Sequence, residues 1–210
     1  LKERLGLTDT QNTKLLLQAA SIGDSSAALA LGVCFLGGIY VSQDTDQAIK
    51  LFQRASDMDD TDAVAILGIL YEKGEGVPQD KQKAIELYQK ASDMGNTNAM
   101  FNLGVCYEKG DGVSQDFEKA IELYQRAADM GNTDAMFNLG VCYDKGDGVS
   151  QDKKKAIELF QRAADMGNVD AMNTVGSCLC RGTGVSRDLK KAREWFAKAS
   201  KNEAQNQKKQ

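Results

Sequence analysis

The chain has 210 residues, 42% of them apolar, with one proline and a formal net charge of −4 from 26 basic and 30 acidic side chains. That length allows one large domain or two small ones, and the apolar share excludes a disordered chain. The acidic excess argues against nucleic acid as a partner, which demands clustered Lys and Arg, and no apolar run approaches the roughly 20 residues of a membrane span.

No basic start followed by an apolar stretch marks a signal peptide. The chain opens on Leu1 rather than Met, which leaves a trimmed leader open. Downstream, the sequence repeats itself. Leu103-Gly104-Val105-Cys106-Tyr107 returns at Leu139-Gly140-Val141-Cys142-Tyr143, 36 residues on, and the same step reaches Leu31-Gly32, Leu67-Gly68 and Val175-Gly176. In chain order, a partial leading unit covers 12–26, where Lys14 to Ala20 aligns with Glu122 to Ala128. Full units cover 27–62, 63–98, 99–134, 135–170 and 171–200, all within one repeat domain, and a polar tail at 201–210 is expected to fray. The third and fourth units differ at 5 of 36 positions: Glu108/Asp144, Phe117/Lys153, Glu118/Lys154, Tyr124/Phe160 and Thr133/Val169.

Each unit reads as helix, loop, helix, turn. In the third, Ala99, Met100, Leu103, Gly104 and Tyr107 share one face of a helix from about Ala99 to Lys109. Gly104 costs about 1 kcal/mol against Ala inside a helix, so a neighbouring helix is expected to cross close there. Gly110 and Gly112 allow the loop positive φ, Asp116 suits the N-cap of the second helix, and Gly131 suits its left-handed end. Ala120, Ile121, Tyr124, Ala127 and Ala128 form that helix's apolar stripe. One hairpin cannot bury its own apolar face, whereas stacked hairpins can. The first unit departs, with Tyr40 and Asp59 where the others carry glycines. All seven methionines fall at two repeat positions, which reads as core.

The pattern Ala99, Leu103, Gly104, Tyr107, Gly110, Gly112, Val113, Asp116, Lys119 and Ala120 resembles the Sel-1-like repeat, a relative of the tetratricopeptide repeat. The resemblance runs from about residue 12 to 200. It implies an all-α fold: a right-handed α/α superhelical solenoid of five 36-residue helix pairs plus a partial leading repeat. It also implies an adaptor or scaffold role in protein complexes. Family members serve protein quality control, cell-wall synthesis regulation, bacterial signalling and host interaction, so the fold leaves the biology open.

The chain contains no histidine, which removes the commonest general base and the commonest transition-metal ligand. Cys34, Cys106, Cys142 and Cys178 recur at one repeat position that Leu70 occupies in the second unit, so the position reads as a small buried apolar slot. Cysteines outside disulfides favour a reducing compartment, hence the cytoplasm. Some cysteine-rich relatives pair two cysteines in every unit and are credited with hydrolase activity, but this sequence lacks the second cysteine. The loop from Asp144 to Asp152 lacks the alternating oxygens of a calcium site. Neither a metal nor a cofactor is expected. Lys153, Lys154 and Lys155 read as a solvated helix start.

In tetratricopeptide-like solenoids the first helix of each unit lines the concave face. Away from the core stripe, the third unit places Phe101, Val105, Glu108 and Lys109 there with Asn102 at the edge; the fourth places Phe137, Val141, Asp144 and Lys145 with Asn138. Two readings stand. A ring beside an amide suits capture of a peptide, because the ring supplies area and the amide can bond a partner's backbone. Alternatively Phe101 and Phe137 pack on each other and each Asn bonds a neighbouring helix. The expected function is a non-catalytic scaffold for a protein or peptide segment; self-assembly through the near-identical units is the alternative, and a hydrolase the weakest reading.

Overall fold

The computed structural model describes residue 14, residues 16–20 and residues 22–207. Residues 12, 13, 15 and 21 of the leading unit and 208–210 of the tail lie outside the described residues. Residues 16–20 are helical. Five helix pairs follow: α1 (Ser25–Gly37) with α2 (Thr45–Asp57), α3 (Thr61–Lys73) with α4 (Lys81–Asp93), α5 (Thr97–Lys109) with α6 (Phe117–Asp129), α7 (Thr133–Lys145) with α8 (Lys153–Asp165), and α9 (Val169–Arg181) with α10 (Leu189–Gln207). No strand occurs among the described residues. The last helix does not stop at Ser200 but runs on to Gln207, through most of the segment read as a tail.

First helices begin two residues earlier than the apolar pattern alone indicates, at Thr97 rather than Ala99. The cap explains the shift. Asn132 holds an extended backbone, and its Oδ1 accepts the Ala135 N–H at 2.8 Å. Asp24, Asp60, Asn96 and Asn168 do the same for α1, α3, α5 and α9. The preceding helix closes on the same dipeptide. Gly131, at φ 93°, donates to the Ala128 carbonyl at 3.0 Å, and Asn132 donates to the Ala127 carbonyl at 2.9 Å. That pair of bonds is a Schellman turn, so Gly131-Asn132 ends α6 and starts α7 with no residue between. Second helices start on Asp44, Asp80, Asp116, Asp152 and Asp188, as expected of Asp116. Tyr40 and Asp59 do adopt left-handed backbones, at φ 64° and 59°.

The chain divides into two compact units, Leu1–Ala99 and Met100–Gln210, with the division inside α5. In the first unit, Phe52 of α2 is buried with Ala48, Leu67 and Leu70, while Ala20, Ala27, Ala28, Ala55 and Ala63 form a second, small-residue core. In the second unit, Met136, Ile157, Phe160, Met172, Val175 and Trp195 pack together. The first-helix glycines make room for rings. A Cβ on Gly68 would lie 2.6 Å from the Tyr88 ring, and one on Gly104 or Gly140 would lie 2.6 Å from Tyr124 or Phe160. The helix expected to cross close at Gly104 is the second helix of its own repeat, whose Tyr124 ring lies against the glycine.

The methionine reading needs correction. Met100, Met136 and Met172 are buried, but Met130 and Met166 are 56% and 54% exposed. These two occupy the C-cap of α6 and α8, where the chain leaves the helix and the side chain leaves the packed stripe.

Candidate functional site

All ten candidate residues lie on α5 and α7, in the second unit. Phe101, Asn102, Val105, Glu108, Phe137, Asn138, Val141 and Asp144 are half-buried, and Lys109 and Lys145 are exposed. The two phenylalanines do not stack on each other. Phe101 lies 5.9 Å from the Tyr124 ring of α6, and Phe137 lies 5.4 Å from the Phe160 ring of α8, both tilted. Each therefore anchors its first helix to its own second helix while leaving part of the ring in the open.

The Asn138 amide has its partner inside the protein. Tyr124 is completely buried; its hydroxyl donates to Glu108 Oε2 at 2.6 Å and accepts the Asn138 amide at 3.3 Å. One phenol thus ties α5 to α7 through α6. Burial, then the bond to Glu108, pushes the Tyr124 hydroxyl far above its ordinary pKa, so it stays protonated and donating. Glu108 and Asn138 are thereby engaged inside the protein, and for Asn138 the inter-helix reading is the one observed.

The α7 candidates come together elsewhere. Phe137, Val141, Asp144 and Lys145 form one wall of a pocket of about 450 Å³ whose other wall is α9. Phe160 lies at its base, and Asn173, Thr174, Ser177 and Arg181 face across it. These four were legible as the residues 36 positions after Phe137, Asn138, Val141 and Lys145, but they carry no aromatic to draw attention. Cys178 also lines the pocket and is only half-buried, unlike Cys34, Cys106 and Cys142, so its slot is not the closed one expected. None of the five cysteines is in a disulfide. Burial raises the thiols of Cys34 and Cys178 and, together with Glu108 nearby, pushes Cys142 up to about 11. Such thiols are poor nucleophiles near neutral pH. Lys153, Lys154 and Lys155 are exposed, as expected of a solvated start, with Lys155 at 4.1 Å over the Tyr143 ring.

Repeated helix pairs capped by Asp and Asn, with a glycine seating a ring in each, define a helical repeat protein. The Sel1 repeat pattern matches residues 25–60, 61–96, 97–132, 133–168 and 169–203, and the chain belongs to the Sel1 repeat family. A Sel1 repeat protein from Oxalobacter formigenes is 34% identical with a TM-score of 0.91, over 95% of this chain and 83% of that one. A protective antigen present in uropathogenic Escherichia coli strains, displaying an SLR fold, is 36% identical with a TM-score of 0.81 over 90% of this chain. The present chain spans only 40% of that antigen. An immunity protein from Pseudomonas aeruginosa shares the fold at 21% identity, with a TM-score of 0.69 over 91% of this chain and 73% of that one. No curated protein matches the sequence. Sel1 repeats are generally non-catalytic scaffolds that usually mediate protein interactions. No described helix is long and apolar enough to cross a membrane.

Proposed function

We propose that this chain is a non-catalytic scaffold that holds a segment of a partner protein against its first helices. Phe137, Val141, Asp144 and Lys145 of α7, with Val105 and Lys109 of α5, supply the contacts. The observation that carries this reading is the pocket of about 450 Å³ between α7 and α9. Its mixture of apolar walls and a few polar groups resembles that of small-ligand clefts, and its volume, within their ~300–1,000 Å³ range, is ample for a side chain of a bound segment. The chain has no histidine, the commonest general base, and its raised thiols are poor nucleophiles near neutral pH. Cysteines outside disulfides suit a reducing compartment such as the cytoplasm.

A random peptide library displayed on phage and selected on the intact chain tests the reading. Selected peptides should lose binding when Val141 is changed to Arg and keep it when Glu158, on the exposed side of α8, is changed to Arg. Peptides indifferent to Val141→Arg would remove the first-helix face from consideration. Light scattering across a concentration series should show a monomer; growth of oligomers with concentration would favour self-assembly as the role instead.

A further inference from the structure

Where α5, α6 and α7 meet, a phenol, a carboxylate and an amide are bonded together: Tyr124, Glu108 and Asn138. One repeat on, the three equivalent places on α8, α7 and α9 hold Phe160, Asp144 and Thr174. Each exchange removes atoms: the hydroxyl, one methylene, and the amide. All three smaller residues line the same pocket of about 450 Å³. The residues change as a set along the chain. Tyr88 has Glu72 in its own repeat, with its hydroxyl on that carboxylate at 2.5 Å, and Asn102 at the equivalent place in the next repeat's sequence; Phe52 has Leu36 and Ile66. The pocket is therefore lined at the three places where an internal tyrosine network stands one repeat earlier.

What remains there is a matched but incomplete set of partners. Among the described residues no side chain donates to the Asp144 carboxylate; Gln151 donates to the Asp144 backbone carbonyl instead. Phe137 and Phe160 present paired rings beside it. Lys145 and Arg181 put two cations on the rim.

We infer that this pocket takes a tyrosine side chain of a partner segment in which an acidic residue adjoins the tyrosine. The inference deepens the scaffold reading and rests on it. The ring of the incoming tyrosine packs on Phe137 and Val141, and its hydroxyl donates to Asp144, remaking the phenol–carboxylate bond that Tyr124 makes with Glu108. The adjoining carboxylate meets Lys145 and Arg181. Phenylalanine would fill the apolar part but desolvate Asp144 without giving it a donor, which is the costly way to bury a charge. Lysine or arginine could donate to Asp144, but a cation there meets Lys145 and Arg181 with like charge.

The test is an NMR titration of the isotope-labelled full chain with three capped tripeptides: acetyl-Glu-Tyr-Glu-amide, acetyl-Glu-Phe-Glu-amide and acetyl-Lys-Tyr-Lys-amide. The first should shift the amide signals of Val141 and Ser177 and bind at least about tenfold more tightly than the other two, the factor one good charged hydrogen bond represents. Asp144→Glu, Phe160→Tyr and Thr174→Asn together rebuild the internal network, and that variant should lose about the same factor while melting no lower than the parent. Asp144→Asn alone should weaken the tyrosine peptide and, by removing the charge that phenylalanine leaves without a donor, should tighten the phenylalanine peptide, so that the two converge. Equal binding of the tyrosine and phenylalanine peptides, or full binding by the rebuilt variant, overturns the inference. Shifts confined to Phe101 and Val105 also overturn it and leave the scaffold reading intact. Silence with all three peptides overturns it as well, and the library selection then decides the scaffold reading by itself.

Discussion

The third and fourth repeats share 31 of 36 residues, since they differ at 5, yet a hydrogen-bonded phenol stands beside the first helix of the third and a pocket lies beside that of the fourth. Two of those five differences, Glu108/Asp144 and Tyr124/Phe160, account for much of the contrast. In the third repeat, Tyr124 spends its hydroxyl on Glu108 and Asn138. In the fourth, Phe160 keeps the ring, the contact with the glycine beneath it and the pairing with Phe137, but has no hydroxyl to spend. Repeat proteins thus hold two kinds of information at adjacent positions. The ring and glycine specify the fold, and the atom at the ring's tip decides whether the neighbouring polar side chains are tied together.

Several substitutions sharpen or break that comparison. If the two repeats share one core, Leu103→Ala and Leu139→Ala, both at fully buried sites, should each cost about 2–5 kcal/mol and resemble each other in denaturant unfolding. Widely different costs would mean that the repeats differ in packing and not merely at the surface. Next, Tyr124→Phe should cost about 1–2 kcal/mol, because Glu108 and Asn138 lose their shared partner, whereas Phe160→Tyr should change stability by less than about 0.5 kcal/mol. Similar losses for both would sink the account of the third repeat.

A smaller effect is expected in the first repeat, which differs from its neighbours at the turn. Asp59→Gly removes a side chain from a left-handed backbone at φ 59° and should raise stability by roughly 0.5–1 kcal/mol in thermal melts. A lower melting temperature would show that the Asp59 side chain contributes more than its backbone costs.

The thiols offer the smallest and most graded contrast. The pKa of Cys142 is pushed from the ordinary 9.0 up to about 11, by burial first and Glu108 second. The unfolded chain therefore gives up that proton before the folded one does. The associated stability is full below about pH 9 and is lost as pH rises toward 11. Cys142→Ala should flatten stability over that window, measured by denaturant unfolding at several pH values. With a thiol reagent at neutral pH, Cys178 on the pocket wall should react before Cys142, which should react only on unfolding. The reverse order would contradict the placement of the pocket.

Much of the fold was readable in the sequence because periodicity and turn chemistry are local. The spacing of Leu103, Gly104 and Tyr107 gave the first helix its face, Asp116 marked a helix start, and Tyr40 and Asp59 were recognisable as residues in glycine's places. What local pattern hid was shared duty. Asn132 reads as the end of a turn, but it caps the next helix as well, which moved every first-helix start by two residues. The ten candidate residues all lie on α5 and α7, but spacing could not separate those engaged inward, Glu108 and Asn138, from those lining a cavity, Val141 and Asp144. That distinction depends on Tyr124 and Phe160, fourteen residues before Asn138 and Thr174 respectively, which is beyond the reach of a helix-face argument.

The measurement closest to the central claim is a pair of double-mutant cycles by chemical denaturation, one in each repeat. The first couples Tyr124→Phe with Glu108→Ala; the second couples Phe160→Leu with Asp144→Ala. The account predicts a coupling of about 0.5–3 kcal/mol between Tyr124 and Glu108 and one within about 0.3 kcal/mol of zero between Phe160 and Asp144. Equal coupling in the two repeats would contradict it, because the Tyr124 hydroxyl could then not be what distinguishes them.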